Sequence, residues 1–281
     1  MSDEGEKEEG NKAVLMRIAD ALDRLAPPPA RQISLTSGDA FLWDAANLKS
    51  IAPFRPIDID LLTGIDQQKA RLLDNTRRHA KGHAAHDVLL WGSRGMGKSA
   101  LAKSVVRTAQ GYQGSIALVE TASDQLENLS ALFEILASAP RRFILFIDDI
   151  GFSEGSSQPR LLRSMLEGGA SQRPDNVRLY VTSNRRHIVP RQMSEQDDPI
   201  NPRDAVDDQL ALSDRFGLRL GFHAASQDDY LAIIARYAEA HDLDFEPDDA
   251  LLWAKQAGSR SGRMAWQYIV ELAGRAGKSL V

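Results

Sequence analysis

The sequence predicts an α/β protein in which a parallel sheet is covered by helices on both faces and followed by a small all-helical subdomain. Three observations carry this. Short apolar runs alternate with helix-patterned stretches between residues 57 and 222. A glycine-rich turn joins the first of these runs to its helix. After Phe222 the apolar period changes from that of strands to that of helices.

The first ten residues carry five acids (Asp3, Glu4, Glu6, Glu8, Glu9) against Lys7. They account for −4 of the formal net charge of −5 and leave the other residues close to neutral. Residues 1–12 therefore read as a disordered acidic tail. Nothing in the overall balance suggests a body built to coat nucleic acid. There are no cysteines, which excludes disulfides and thiolate metal sites and fits a reducing, cytoplasmic setting. No apolar leader pattern follows the acidic start. Purely apolar runs such as Phe143 to Ile147 are too short to span a bilayer, so no membrane partner is expected.

Residues 13–56 are expected to form an N-terminal helix and an extended segment. Val14, Leu15, Ile18, Leu22 and Leu25 recur at helical spacing before Pro27-Pro28-Pro29. That helix either packs on the body or binds a partner. Residues 30–56, with Phe41, Trp43, Pro53 and Pro56, read as an extended segment running over the surface. The core domain is expected at 57–222. It opens with a turn and helix, then has strands at Val88–Trp91, Ile116–Glu120, Phe143–Asp148, Val177–Ser183 and Leu218–Phe222. The helical subdomain is expected at 223–281. Tyr230, Ile233, Ile234 and Tyr237 mark one of its helices, and Trp266, Ile269, Val270 and Leu272 another.

The turn is Gly92-Ser93-Arg94-Gly95-Met96-Gly97-Lys98-Ser99, with Ala100 opening the helix behind it. Strand, glycine-rich turn, Lys-Ser and helix is the layout of a phosphate-binding P-loop. The glycines let successive backbone N–H groups point at one anion, and the helix N-terminus adds partial positive charge there. Lys98 can reach the β- and γ-phosphates of a nucleotide, and the Ser99 hydroxyl can ligate Mg²⁺. Fifty residues on, the apolar strand Phe143–Ile147 ends in Asp148 and Asp149. Asp148 suits the Mg²⁺ opposite Ser99, and Asp149 suits a general base beside the attacking water. Asn184 ends the fourth strand, where a carboxamide can bridge γ-phosphate and water, with Thr182 a weaker alternative. Arg215 precedes the fifth strand, at a domain edge from which it could reach the γ-phosphate of a neighbouring subunit. The competing reading is a local Asp214–Arg215 interaction. Arg263 and, in reserve, Arg260 sit at a helix start, where a cation is unfavourable unless an anion lies nearby.

This ordered set resembles the AAA+ ATPases. The glycine-rich turn, acidic third strand, polar fourth strand, Arg215 and Arg263 correspond to Walker A, Walker B, sensor 1, arginine finger and sensor 2. The literal pattern is closer still to an uncharacterised bacterial ATP-binding family, domain of unknown function 815. The resemblance rests on Leu62-Thr63-Gly64-Ile65-Asp66, Phe143 through Asp149, Arg173-Pro174-Asp175-Asn176-Val177, Thr182-Ser183-Asn184-Arg185-Arg186-His187, Leu212-Ser213-Asp214-Arg215-Phe216-Gly217 and Gly258 through Arg263. It implies a P-loop NTPase three-layer sandwich, a parallel five-stranded sheet of order 5-1-4-3-2 and a helical lid. It also implies that Gly64 and Ile65 line the adenine pocket.

The expected function is binding of Mg-ATP, with hydrolysis at the interfaces of a homo-oligomer acting on an unidentified protein partner. The alternative is an ATP-dependent switch or loader with little intrinsic turnover. The second acid of this strand is usually Glu in AAA+ proteins. Asp149 reaches about one methylene less, which points to slow hydrolysis or help from Glu154. Thr121 to Glu127 lacks the aromatic and glycine of a threading pore loop. Basic residues at Arg160, Arg163, Arg185, Arg186, His187 and Arg191 leave a nucleic-acid surface open, although solvated helix faces and ion pairs explain them better. His79, His83 and His86 with Asp87 make a poor zinc set without cysteine. Asp197-Asp198 and Asp207-Asp208 read as a solvated loop.

Overall fold

The computed structural model describes residues 14–17, 34–44, 47–111, 115–151, 158–167, 173–184 and 212–280. The chain divides into two compact units, residues 1–34 and 35–281. In the first, 14–17 is helical, and Val14, Leu15 and Met16 are exposed. The remainder of this section concerns the second unit.

Its centre is one seven-stranded sheet. The strands are β1 (Ala40–Trp43), β2 (Leu48–Ser50), β3 (Val88–Gly92), β4 (Ile116–Thr121), β5 (Arg142–Ile147), β6 (Val177–Ser183) and β7 (Leu218–Phe222). Their spatial order is β2-β1-β4-β5-β6-β3-β7, and every neighbouring pair is parallel except β1 with β2. From β4 to β7 this is the expected 5-1-4-3-2 arrangement. The parallel strands are apolar runs because both faces are covered. Phe143 through Ile147 are all fully buried. Alternation sends Ile144 and Phe146 to one face with Val88, Leu90 and Leu118, where they cluster with Leu101, Val105 and Val106 of helix α2 (Lys98–Gln110). Leu72 of helix α1 (Asp66–Ala80) joins the same cluster.

The edge corrects one expectation. Residues 40–50 do not run over the surface as an isolated extended segment. Ala40 and Phe41 are fully buried and Trp43 is 2 % exposed, because β1 pairs in register with β4, Phe41 opposite Val119. β2 then covers β1 from the far side. The sheet has two more strands than expected and begins before residue 57.

Between β4 and β5 lie a 3-10 turn at Ser123–Asn128 and helix α3 (Leu129–Ala137); α4 (Gln158–Glu167) follows β5. Past β7 come α5 (Gln227–Ala240), α6 (Pro247–Gln256) and α7 (Gly262–Arg275). Ser226 and Asp229 form a reciprocal capping box at the start of α5. Pro247 occupies the first turn of α6, where its missing N–H costs nothing. The three helices share their own core of Tyr230, Ile234, Ala250, Tyr268 and Ile269. Met96 of the glycine-rich turn packs against this core as well as the sheet cluster, which ties the lid to the turn. Among the described residues no helix is long and apolar enough to cross a membrane.

Candidate functional site

The site is built where β3, β5 and β6 end. Because neighbouring strands are parallel, the residues that follow them emerge on one edge of the sheet. Gly92 ends β3 with φ 119°; a Cβ there would lie 2.1 Å from the Phe222 carbonyl oxygen, so only glycine fits. That closeness lets the Ser93 N–H donate to Phe222 O at 2.7 Å. Gly95 and Gly97 also have positive φ, and Gly97 sits at the N-terminus of α2. The turn therefore delivers Lys98 and Ser99 at the helix start.

Lys98 is 5 % exposed, and its Nζ donates to Gly92 O (2.9 Å), Ser93 O (2.9 Å) and Asn184 Oδ1 (2.8 Å). Burial is the main cause that pushes its pKa down to about 8; Arg263 and Arg94 push the same way, against Asp148 and Asp149. Ser99 Oγ donates to Asp148 Oδ1 at 2.7 Å. Asn184 Nδ2 donates to Asp149 Oδ1 at 2.5 Å. Lys98, Asn184 and Asp149 thus form one continuous chain, with the carboxamide accepting at one end and donating at the other.

Thr182 holds the acids rather than duplicating Asn184. Its Oγ1 donates to Asp148 Oδ1 at 2.5 Å and accepts from the Asp149 N–H at 2.8 Å. Asp149 has φ 53°, a left-handed conformation that costs energy for a residue with a Cβ. The Thr182 hydroxyl and the Ile150 N–H to Thr182 O bond (2.9 Å) brace the chain on either side of this turn.

These groups face a cavity of about 350 Å³. One end of it is polar, with Arg94, Gly95, Gly97, Lys98, Ser99, Ala100, Asp148, Asp149, Asn184 and Arg263. The other is apolar, with Leu62, Ile65, Ile233, Tyr237 and Trp266, the last two rings edge to face with centroids 5.3 Å apart. Ile65 lines this end and Gly64 does not; Gly64, at φ 78°, turns the chain that carries Thr63 and Ile65 to the wall. Gly92 and Ser93 lie behind the cavity wall and act through their carbonyls on Lys98. The lid closes the roof at one seam. The Arg263 N–H donates to Gly95 O at 3.1 Å, and a Cβ on Gly95 would lie 2.9 Å from Ser261 Oγ.

Two sequence candidates lie elsewhere. Arg260 precedes the helical cap Ser261 and does not line this cavity. Arg215 is three residues ahead of β7, whose first residue pairs with Val88 and whose last pairs with Gly92. It therefore sits at the opposite end of the sheet from its own P-loop. Asp214 pairs not with Arg215 but with Arg219, at 2.6 Å. Asp87 donates nothing to a histidine cluster: it pairs with Arg173 and accepts from Leu179 N–H. His79 is buried against Phe143 O at 3.1 Å. Glu154, Arg185, Arg186, His187, Arg191, the two acid pairs and the 1–12 tail lie outside the described residues, as does the side chain of Arg160.

A P-loop after strand 1 of a 5-1-4-3-2 sheet, second from its edge, acids after strand 3 and a helical lid over the turn define a P-loop fold of the AAA+ type. The chain belongs to the family described as Protein of unknown function (DUF815), whose profile matches residues 36–276. Solved structures agree on the fold. Thermotoga maritima RuvB, a Holliday junction branch migration motor, is 19 % identical with TM-score 0.50, over 80 % of this chain and 68 % of that one. Aeropyrum pernix Orc1, solved in complex with DNA, is 18 % identical with TM-score 0.54, over 79 % of this chain and 62 % of that one. At such identities the likeness is one of fold. No curated protein matches the sequence.

Proposed function

We propose that the chain binds Mg-ATP and hydrolyses it at interfaces between its own copies, to drive or time a conformational change in a protein partner. The observation that carries this reading is the convergence of Lys98, Ser99, Asp148, Asp149, Asn184 and Arg263 on one cavity with an apolar far end. The donors suit the ligand. Ser99 Oγ and Asp148 Oδ1 already approach to 2.7 Å, two hard oxygens of the kind Mg²⁺ takes. Bound there, Mg²⁺ would neutralise developing phosphate charge. The glycine-rich turn cradles the phosphates, and Lys98 turns from carbonyl acceptors to phosphate oxygens. Ile65, Tyr237 and Trp266 offer the base an apolar slot. Asp149 takes the proton of the attacking water, which Asn184 holds in line. Arg263 meets the γ-phosphate from the lid.

Arg215, at the wrong end of the sheet for its own site, is assigned to the neighbour's γ-phosphate. Phosphate release per protomer, measured across a wide range of protein concentration, tests this. A steep rise is expected, and it should vanish in Arg215→Ala. A flat, substantial rate would refute the shared site.

A second reading, a nucleotide switch with little turnover, is favoured by the Asn184–Asp149 bond, which engages the base, and by the short reach of Asp149. It expects tight ATP binding with negligible phosphate release at every concentration.

A further inference from the structure

The lid–P-loop seam has a second side. Behind Gly95, Ser261 and Arg263 lies an open cleft of about 1170 Å³, between the outer face of the glycine-rich turn and the ends of α6 and α7. Its rim carries Arg94, Lys255, Arg260 and Arg263, and among the described residues no carboxylate lines it. Among the described residues none of these four side chains has a carboxylate partner. Its floor is apolar, with Met96, Met264, Leu251 and Ala225. Four unneutralised cations around one cleft repel each other, and burying apolar surface beneath them requires a complementary occupant. Arg260, which contributes nothing to the nucleotide cavity, faces this cleft.

We infer that this cleft docks a peptide segment of a partner protein that presents acidic and apolar side chains together, and that docking is coupled to the nucleotide site. The inference rests on the proposed function for the coupling, and on the cleft alone for the docking. Charge sets the sign of the partner. The floor sets its class. Among the described residues no aromatic side chain lines the cleft, so they offer no platform for base stacking, whereas two methionines make an adaptable apolar bed. Coupling follows from the shared wall. Arg94, Gly95, Met96 and Arg263 line both spaces, so a segment seated in the cleft presses on the seam that positions the lid over the phosphates.

The test uses the full chain and a fluorescein-labelled helical peptide of about 18 residues with Glu and Leu on opposite faces. Binding is expected to weaken at least about tenfold in Lys255→Glu/Arg260→Glu, and polyglutamate of equal length should bind at least about tenfold more weakly than the mixed peptide. The peptide's affinity should differ at least about fivefold between protein loaded with a non-hydrolysable ATP analogue and protein loaded with ADP. Lys255→Glu alone should leave affinity for the analogue within about twofold. Equal binding of polyglutamate would reduce the cleft to bulk electrostatics and overturn the proposal. So would tighter binding of oligothymidylate, or a change of oligomeric state in the double variant, which would give the cleft to nucleic acid or to a second copy. Mixed-peptide binding that is lost in the double variant but indifferent to nucleotide would overturn the coupling. Wild-type protein that binds the peptide but no analogue would instead break the proposed function and leave the docking site standing.

Discussion

The two ends of the sheet are both crowded with charge, yet they hold it differently. At the strand C-termini Asp148 and Asp149 are engaged by Ser99, Thr182 and Asn184, side-chain groups that can rotate to other partners, and Lys98 divides its bonds between Asn184 and the Gly92 and Ser93 carbonyls. At the N-termini Arg141 and Arg178 are spent on fixed carbonyls, while Arg173 pairs with Asp87. Arg141 donates to Leu35 O, Gly38 O and Ile116 O; Arg178 donates to Ala85 O, Asp175 O and Val177 O. Arg77 and Arg78 occupy the last turn of α1, where positive charge complements the helix dipole. A charge whose bonds all go to backbone stays with the frame, whereas one bonded at least in part to side chains can be redirected to a ligand. The cationic cleft beside the P-loop is a third case, in which charge has neither kind of partner.

The sharpest way to break the comparison is to remove the cation that is free to change partners. Lys98→Ala should abolish turnover and weaken binding of a fluorescent ATP analogue by at least about 100-fold, with the unfolding midpoint little changed. If affinity survives, Lys98 belongs with the framework charges. Asp149→Asn should separate chemistry from binding. Turnover falls by about 1,000-fold while analogue affinity stays within about threefold, as read by single-turnover phosphate release and titration.

The framework end makes the opposite prediction, on stability rather than activity. Burial, aided by Arg178 and Arg142, pushes His79 down to about 4 from 6.5. The unfolded chain therefore binds the extra proton between these values. Stability from His79 is fully present above pH 6.5 and is lost as pH falls towards 4, by at most roughly 3 kcal/mol. Since a carbonyl only accepts, Nε2 carries the proton towards Phe143 O. Urea titrations at pH 7 and 4.5 should show a smaller acid loss in His79→Gln than in the parent. Equal losses would mean that His79 is not held neutral.

The same contrast explains what could be read from sequence. The P-loop, the acids and Asn184 were legible because a parallel sheet brings the ends of strands to one edge, whatever their separation along the chain. The sequence ranks Arg263 first but keeps Arg260 in reserve, since three residues is close to one helical turn. The structure separates them because Ser261 caps α7 between them, so only Arg263 rides on the helix. β1 was missed because Ala40 to Trp43 is four residues with no clean alternation, and its burial comes from pairing with β4. The Asp87–Arg173 pair joins residues 86 apart with no shared motif. The role of Thr182 depends on the left-handed turn at Asp149, a backbone property that no side-chain pattern announces.

That role gives the smallest and most discriminating prediction. Thr182 Oγ1 both donates to Asp148 and accepts from the Asp149 N–H, so it couples the proposed metal ligand to the proposed base. Thr182→Val keeps the shape and removes both bonds. The freed Asp149 N–H and Asp148 oxygen then find water or new partners, and the acids lose their shared orientation. Turnover should fall about tenfold, and half-saturation by Mg²⁺ should rise by about as much. Thr182→Ser restores the oxygen and should recover most of both. A purely structural threonine predicts the reverse, because serine deletes the buried methyl that valine retains. If Thr182→Val is active while Thr182→Ser is impaired, the residue is packing, and the division between redirectable and framework groups has been drawn one side chain too far.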